Sequence, residues 1–487
     1  MAAFVAEGTG VNGARCVSCI SPTNIAVIKY WGKRDIARHH YQRVHGVLDY
    51  VAHCCVRVLA FPPILIQVAN LPINSSLSVT LSMDNLRTTT TVCASDRYDQ
   101  DRLWLNGNEE DVAANKRVQA VLRAVRARAG DVERIPKDAW PRYKVHIVSE
   151  NSFPTAAGLA SSASGYACLV RALAALFGLR DQSPGALSAI ARVGSGSASR
   201  SLMGGFVRWH MGDPALDNAG GAGGAGGGGG DGAGDVATAR GLRSDSRAIQ
   251  IADENHWPEL EALILVVSDQ KKATGSTSGM TTSVATSALL AHRAATVVPA
   301  RLAAMEDAVR ERDFASFARI TMQDSNQFHA TCLDTYPPIF YMNDTSRAII
   351  GLVHDLNAAA EARDPDHGPL AAYTFDAGPN AVIYARRVDV PVVLAAVTAA
   401  FPAGDRPAYL RGRTTMLTQT RRADTEKAAA LLASGGRVAA RLLAEPEVGV
   451  LNYIMHTCVG KGAELLPREE AALLADPATG EPRAKKA

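Results

Sequence analysis

Apolar and polar positions change period several times along this chain. In YKVHIVSEN, Tyr143, Val145 and Ile147 alternate with Lys144, His146 and Val148, the spacing of a half-buried strand. GYACLVRALAALFGL, from Gly165, repeats Leu169, Leu173 and Phe177 at helical spacing and ends near a glycine. LEALILVVSD, from Leu260, is an almost unbroken apolar run and reads as a buried strand, whereas PARLAAMEDAVRERDFASFARITMQDSNQF, from Pro299, reads as one or two amphipathic helices. Strand-like and helical runs alternating in this way predict a mixed α and β architecture. The most apolar candidate for a membrane span, VLAFPPILIQVANL from Val58, is short and broken by two prolines, so no span is expected.

Two stretches break the pattern. Residues 220–234 are low-complexity glycine, expected to form a surface loop; a G-x-G-x-x-G within them arises from composition and carries no functional weight. Ile36–Asn70 holds four of the chain's twelve histidines and an adjacent cysteine pair. His39, His40, His45, His53, Cys54 and Cys55 are possible metal ligands, but their spacing matches no standard zinc pattern, and the stretch reads instead as an insertion.

Composition narrows the picture. A chain of 487 residues, 47% apolar and 20% charged, is long enough for two or three domains, and a net charge of +3 is too small to imply a nucleic-acid partner. Eight scattered cysteines suit a reducing compartment better than a disulfide scaffold. Cys16 and Cys19 form a C-x-x-C inside an apparent strand rather than at a helix start, which argues against a redox motif. The N-terminus lacks a basic segment followed by an apolar core, so secretion is not expected and a cytoplasmic protein is.

Four segments carry candidate chemistry. NSFPTAAGLASSASGYACL, Asn151–Leu169, places a glycine-containing turn before a helix, where free amides and the positive dipole end favour an anion. Ser161 and Ser162 fall in the first turn, able to cap the helix, donate to phosphate or ligate magnesium. A tightly packed strand–turn–helix is the other reading, and G-x-x-x-x-G-K-[ST] occurs nowhere in the chain. RVGSGSASRSLMGGFVRW, from Arg192, offers a second nest of amides over Gly194, Ser195, Gly196, Ser197 and Ala198, with Arg200 as a bidentate fork; a flexible linker is its alternative. Two anion cradles suggest a nucleotide and a second phosphorylated ligand. SPTNIAVIKYWGKRD, Ser21–Asp35, gathers Asn24, Lys29, Tyr30, Trp31 and Lys33, cations for phosphate beside an aromatic wall, though an exposed strand end would look similar. In AAYTFDAGPNAVIYA, Asp376 stands at a strand end before a Gly–Pro turn, either bonding local amides or poised as a general base.

Together NIAVIKYWGKRD, LPINSSLSVTL, NSFPTAAGLASSASGYA, GSGSASRSLMGGF, STSGM, DSNQFHATCLDTYPPI and YTFDAGPNAVI resemble the diphosphomevalonate decarboxylase family of the GHMP kinase superfamily, roughly from Cys16 to Leu466. The resemblance implies a two-lobed α+β fold. A ribosomal-S5-domain-2-like lobe would span 1–212, with 36–70 inserted, a glycine-rich loop 213–254, and a ferredoxin-like lobe carrying Asp376 255–487. It implies ATP- and magnesium-dependent conversion of (R)-5-diphosphomevalonate to isopentenyl diphosphate, ADP, phosphate and carbon dioxide. In that scheme Asp376 orients or deprotonates the 3-hydroxyl, Arg200 holds the substrate carboxylate and fixes Asp376, and Lys29 and Asn24 complete the polar floor. Pro154, Ala156, Ala157, Gly158, Ser161, Ser162 and Ser276 would meet ATP, with Ser162 at the magnesium. Tyr30, Trp31, Gly32, Lys33, Arg117, Thr277 and the nest Ser195, Gly196, Ser197, Ala198, Ser199 and Arg200 would hold the substrate. Superfamily members bind ATP through loop amides and need no Walker lysine.

The resemblance also implies a homodimer. Ser164 and Ser199 stand where the family commonly has alanine and cysteine. In the family WGKRD runs almost directly into LPINSS through a short hairpin, so Ile36–Asn70 is additional, and its composition resembles translated non-coding sequence. A small-molecule kinase that stops at phosphoryl transfer and an inactive ligand-binding paralogue are the competing classes.

Overall fold

The computed structural model describes residues 14–34, 70–133, 135–153, 161–213, 245–270, 272–406, 408–413 and 422–484, with a short strand at Gly8–Thr9. Pro154, Ala156, Ala157 and Gly158, the inserted stretch up to residue 69 with its histidines and Cys54 and Cys55, and the glycine tract lie outside the described residues.

The first sheet has the order β1 (Gly8–Thr9), β2 (Arg15–Pro22), β5 (Arg87–Ser95), β8 (Lys144–Asn151), β6 (Arg102–Leu105) and β7 (Asn108–Glu110). β5 carries four consecutive threonines, β-branched residues that suit a pleated surface, and pairs residue for residue with β2 and β8. One face is covered by α1 (Lys116–Arg126), α2 (Ser161–Leu176) and α3 (Pro184–Gly194), whose apolar sides join Val17, Val92, Val145 and Ile147 in one core. Cys16 lies opposite Cys93 in the β2–β5 register with Cα atoms 4.1 Å apart, and the two form a disulfide. The scattered cysteines therefore include one bridge, against the expectation drawn from composition. Cys16 is thereby separated in role from Cys19, a buried thiol whose pKa burial raises well above its usual value.

Residue 23 carries the chain from the first sheet to a second, ordered β10 (Ala248–Ala252), β9 (Phe206–Trp209), β4 (Ser76–Thr80) and β3 (Asn24–Ile28). A third sheet runs β12 (Ala372–Phe375), β13 (Ala381–Arg386), β11 (Leu260–Val266), β15 (Tyr453–Cys458) and β14 (Leu410–Gly412). The unbroken apolar run at Leu260 has a physical reason. Leu263 and Leu265 face a core formed with α9 (Asp344–Arg363), α10 (Val390–Ala400), α11 (Arg422–Ser434) and α12 (Arg437–Ala444), while Ala262, Ile264 and Val266 join Ile25, Leu77 and Phe206 between the lobes. Both faces of β11 are buried.

The long pattern from Pro299 resolves into two helices, α7 (Val298–Glu311) and α8 (Phe314–Asp334). Arg312 ends the first in the left-handed region at φ 56°, and Asp313 caps the second by accepting from the Ser316 amide at 3.1 Å. α5 (Ser276–Thr286) and α6 (Ala288–His292) precede a π turn at Arg293–Val297 that runs into α7.

Two connections depart from simple lobe boundaries. The Arg34 amide donates to Leu71 O at 3.0 Å and Ile73 to Gly32 O at 3.3 Å, so the chain on either side of the inserted stretch meets in an antiparallel bridge. At the other end of the chain, β16 (Glu464–Leu465) pairs with β2, and Ser18 Oγ donates to Ala471 O at 2.9 Å. Residues 464–471 thus pack on the first sheet. No helix among the described residues is long and apolar enough to cross a membrane.

Candidate active site

A cavity of about 940 Å³ opens where β3, α2, α5 and the end of β12 converge. Among the described residues it is lined by five cations, Lys29, Lys33, Arg117, Arg200 and Lys272, against one carboxylate, Asp376. Such an excess favours a polyanion. Lys29 follows β3 and Asp376 follows β12, so the two strands of different lobes deliver their charges to one point. Lys29 Nζ donates to Asp376 Oδ1 at 2.6 Å, with the lysine side chain 3% and the aspartate 31% exposed. The local turn bond is made by the Asp376 carbonyl, which accepts from the Gly378 amide at 2.7 Å. Its carboxylate is thus left for the cavity.

Arg200, in the short helix α4 (Ala198–Ser201), is buried among neutral oxygens. Its Nε donates to Asn24 Oδ1 at 3.2 Å and Ser78 Oγ at 3.0 Å, and Nη1 to Ser76 Oγ at 2.6 Å. Burial lowers its pKa to about 10, with the negative charge of Asp376 opposing the shift. The ion pair with Asp376 belongs to Lys29; Arg200, expected from the resemblance to fix that carboxylate, acts on it through space. Asn24 Nδ2 donates to Ser201 Oγ at 2.8 Å and Ser197 O at 3.1 Å, tying the floor to the nest.

Described residues of both expected cradles, Ser161 and Ser162 of the first and Gly194, Ser195, Gly196 and Ser197 of the second, line the same cavity. Ser161 and Ser162 present the N-terminal end of α2, and Ser162 Oγ lies 3.3 Å from Ser195 Oγ, itself 3.2 Å from Ser197 Oγ. Gly196 packs so closely that a Cβ would come within 2.7 Å of the Trp209 ring, whose centroid lies 4.6 Å from that of Tyr30. Ala198 and Ser199 face away from the cavity: the first joins the core and the second donates to Gly196 O at 2.7 Å, bracing the turn. Gly32, at φ 97°, also does not line the cavity; any side chain there would collide with Ile73. Trp31 Nε1 donates to Ser283 Oγ at 2.9 Å and packs edge-on to Phe328 and Tyr341, forming a wall. Arg117 Nη2 reaches Thr277 Oγ1 at 2.5 Å across the mouth.

Family models match most of the chain: a diphosphomevalonate decarboxylase-like N-terminal domain over residues 67–219 and a mevalonate 5-diphosphate decarboxylase C-terminal domain over 262–466. The diphosphomevalonate decarboxylase of Rattus norvegicus is 47% identical over 458 residues, 92% of this chain and 93% of its own length. The chain belongs to the diphosphomevalonate decarboxylase family. Among solved structures, the mevalonate diphosphate decarboxylase from Trypanosoma brucei superposes with a TM-score of 0.71 at 32% identity, covering 94% of this chain and 99% of that one. A complex of MDDEF with MVAPP, AMPPCP and magnesium gives 0.59 at 25% identity, covering 93% and 99%.

Several cavity residues of this family member escape sequence reasoning. Lys272 Nζ donates to Ser276 Oγ at 2.8 Å and to Ala377 O at 3.1 Å; burial lowers its pKa, opposed by the Asp376 charge. Its place shortly before TGSTSGM was the available signal. Asn70 holds the α3 terminus through Arg192 O and Val193 O at 2.9 and 2.8 Å. Ser76 and Ser78 lie within the quoted LPINSSLSVTL, but nothing in that block marks them as partners of Arg200.

His329 on α8 is 4% exposed, and burial, then the charge of Lys29, lowers its pKa to about 4 from 6.5. The folded state therefore keeps it neutral while the unfolded chain takes up a proton. Its contribution to stability is complete above pH 6.5 and is lost as pH falls towards 4, by about 3 kcal/mol. Melting curves at pH 7 and pH 4.5 should show a smaller acid loss in His329→Gln than in the wild type; equal losses would contradict the shift.

Proposed function

We infer that this chain catalyses the ATP-dependent decarboxylation of (R)-5-diphosphomevalonate to isopentenyl diphosphate, ADP, phosphate and carbon dioxide. The observation that carries the reading is the Lys29–Asp376 pair facing two hydroxyl-lined cradles in one cationic cavity. The donor set suits the two phosphate chains this reaction brings together. Hydroxyls and a helix start stand on one side, with Lys33, Arg117 and the Ser195–Ser197 nest on the other.

Ser161, Ser162 and Ser276 would hold ATP, with the Ser162 hydroxyl towards magnesium; when bound, the pair supplies a phosphoryl group and neutralises its charge. Asp376 orients the tertiary 3-hydroxyl and takes its proton, and Lys29 holds that carboxylate in place by direct contact. Phosphorylation makes the hydroxyl oxygen a competent leaving group. Arg200 presents its buried fork to the substrate carboxylate. As phosphate departs, the electrons of the bond to the carboxylate carbon form the alkene and carbon dioxide leaves. Trp31, Phe328 and Met280 keep an apolar wall against bulk water. The homodimer implied by the resemblance and the cytoplasmic compartment expected from the cysteine pattern and N-terminus belong to the same reading.

Carboxyl-labelled substrate decides the matter: labelled gas and ADP should appear in equal amounts. ADP without gas would favour a kinase that stops at phosphoryl transfer.

A further inference from the structure

α8 bonds the backbone of Lys29 and of Phe375, the residue before Asp376, although none of the helix residues involved lines the cavity. Asp324 Oδ2 accepts from the Lys29 backbone amide at 2.7 Å. Arg293, which opens the π turn, grips Asp324 through two nitrogens at 2.8 Å each and donates to Lys29 O at 3.3 Å. Arg301 adds a contact to Asp324 Oδ1 at 3.2 Å, and Gln327 Oε1 accepts from Arg293 and Arg301 at 2.7 and 2.9 Å. The side chains of Arg293 and Asp324 are both 0% exposed. The next residue, Ser325, accepts from the Phe375 amide at 3.0 Å, immediately before Asp376, and Asn326 Oδ1 accepts from Tyr373 OH at 3.0 Å.

Burying an ion pair is costly, and an apolar contact would pack α8 against β3 as well or better. What the polar version adds is directional: a hydrogen bond fixes a backbone segment to within a few tenths of an ångström, whereas apolar packing lets it slide. Consecutive positions on one rigid helix are separated by a rise of about 1.5 Å. Lys29 of one lobe and Asp376 of the other are thereby indexed to the same turn.

We propose that Asp324 with Arg293, and Ser325 beside them, act as positioning residues that set the Lys29–Asp376 register across the cleft. The proposal rests on the catalytic reading of that pair. A misplacement of about 1 Å at reacting groups costs on the order of a hundredfold in rate. Accordingly Asp324→Asn, which keeps the shape but weakens both grips, is expected to lower kcat about a hundredfold. Ser325→Ala leaves the Phe375 amide without its acceptor and is expected to lower kcat by about tenfold, and Ser325→Thr, which retains the hydroxyl, to restore most of it. In all three, KM for substrate and for ATP should stay within about twofold of wild type, because the binding cradles are untouched.

The measurement is steady-state gas release by purified full-length chain, normalised to folded protein by circular dichroism, with KM for both ligands. A kcat loss at constant KM with rescue by threonine supports the register device. Unchanged kcat in Ser325→Ala, or no rescue by Ser325→Thr, overturns it even if Asp324→Asn fails to fold. Wild-type chain that releases no gas would instead remove the functional reading.

Discussion

Asp376→Asn is expected to bind substrate and nucleotide with near-normal affinity and to lose turnover by about 10²- to 10⁴-fold, the range that general-base removal commonly costs. The change is nearly isosteric, so the strand end and its Gly378 turn survive. What disappears is the group that the proposed reaction uses as proton acceptor, the only carboxylate facing the cavity among the described residues. The substitution also leaves the Lys29 ammonium, 2.6 Å away and almost fully buried, against a neutral amide. Single-turnover gas release, measured beside ligand affinity by calorimetry, separates the two effects. A variant that releases gas at near wild-type rate would remove Asp376 from the mechanism.

Arg200→Met is expected to cost about 2–5 kcal/mol in transition-state binding, the usual result of truncating one partner of a buried charged contact, or roughly thirty- to several-thousandfold in kcat/KM for the substrate. Two things are lost at once. The cavity forfeits a cation that stays charged at neutral pH, since its pKa remains about 10 despite burial. Asn24, Ser76 and Ser78 also lose the donor that satisfies them. Arg200→Lys should recover little, because a single ammonium cannot reach three separate oxygens and still present a planar fork. KM for ATP should change far less than the substrate term. If both rise together, Arg200 is holding the lobe rather than the substrate.

What the sequence made legible were features whose signal is local. Strand β8 and the two-sided burial of β11 follow from period and run length, although the alternation in β8 predicts half-burial and the fold buries Val145 to Ser149 on both faces. The periodicity from Pro299 is compatible with one helix or two, because the break between α7 and α8 rests on a left-handed Arg312 and an Asp313 cap that periodicity does not mark. Asp376 stands one residue beyond β12, where the Gly–Pro turn placed it. Features that depend on distant partners were not legible. Cys16 and Cys93 meet only because two strands 77 positions apart share a register. Asp324 sits in a helix whose polar positions look like an ordinary solvated face, yet it is wholly buried against Arg293. Lys272 gains its meaning from Ala377 O, more than a hundred positions away. Ser199 looked like part of an anion nest, and only the fold shows its hydroxyl spent on Gly196 O.

The return of residues 464–479 to the first sheet has a consequence for assembly in the cell. Ser18 and Thr91, near the beginning, accept from the Leu473 and Leu474 amides, and His146 Nδ1 lies 2.8 Å from Thr479 O. During synthesis, β2 and β5 emerge hundreds of positions before these partners, so that flank of the first sheet stays uncovered until residues 464–479 have been made. Chaperone dependence should therefore be greatest for nascent chains stalled short of residue 464, and least once the closing segment has cleared the ribosome.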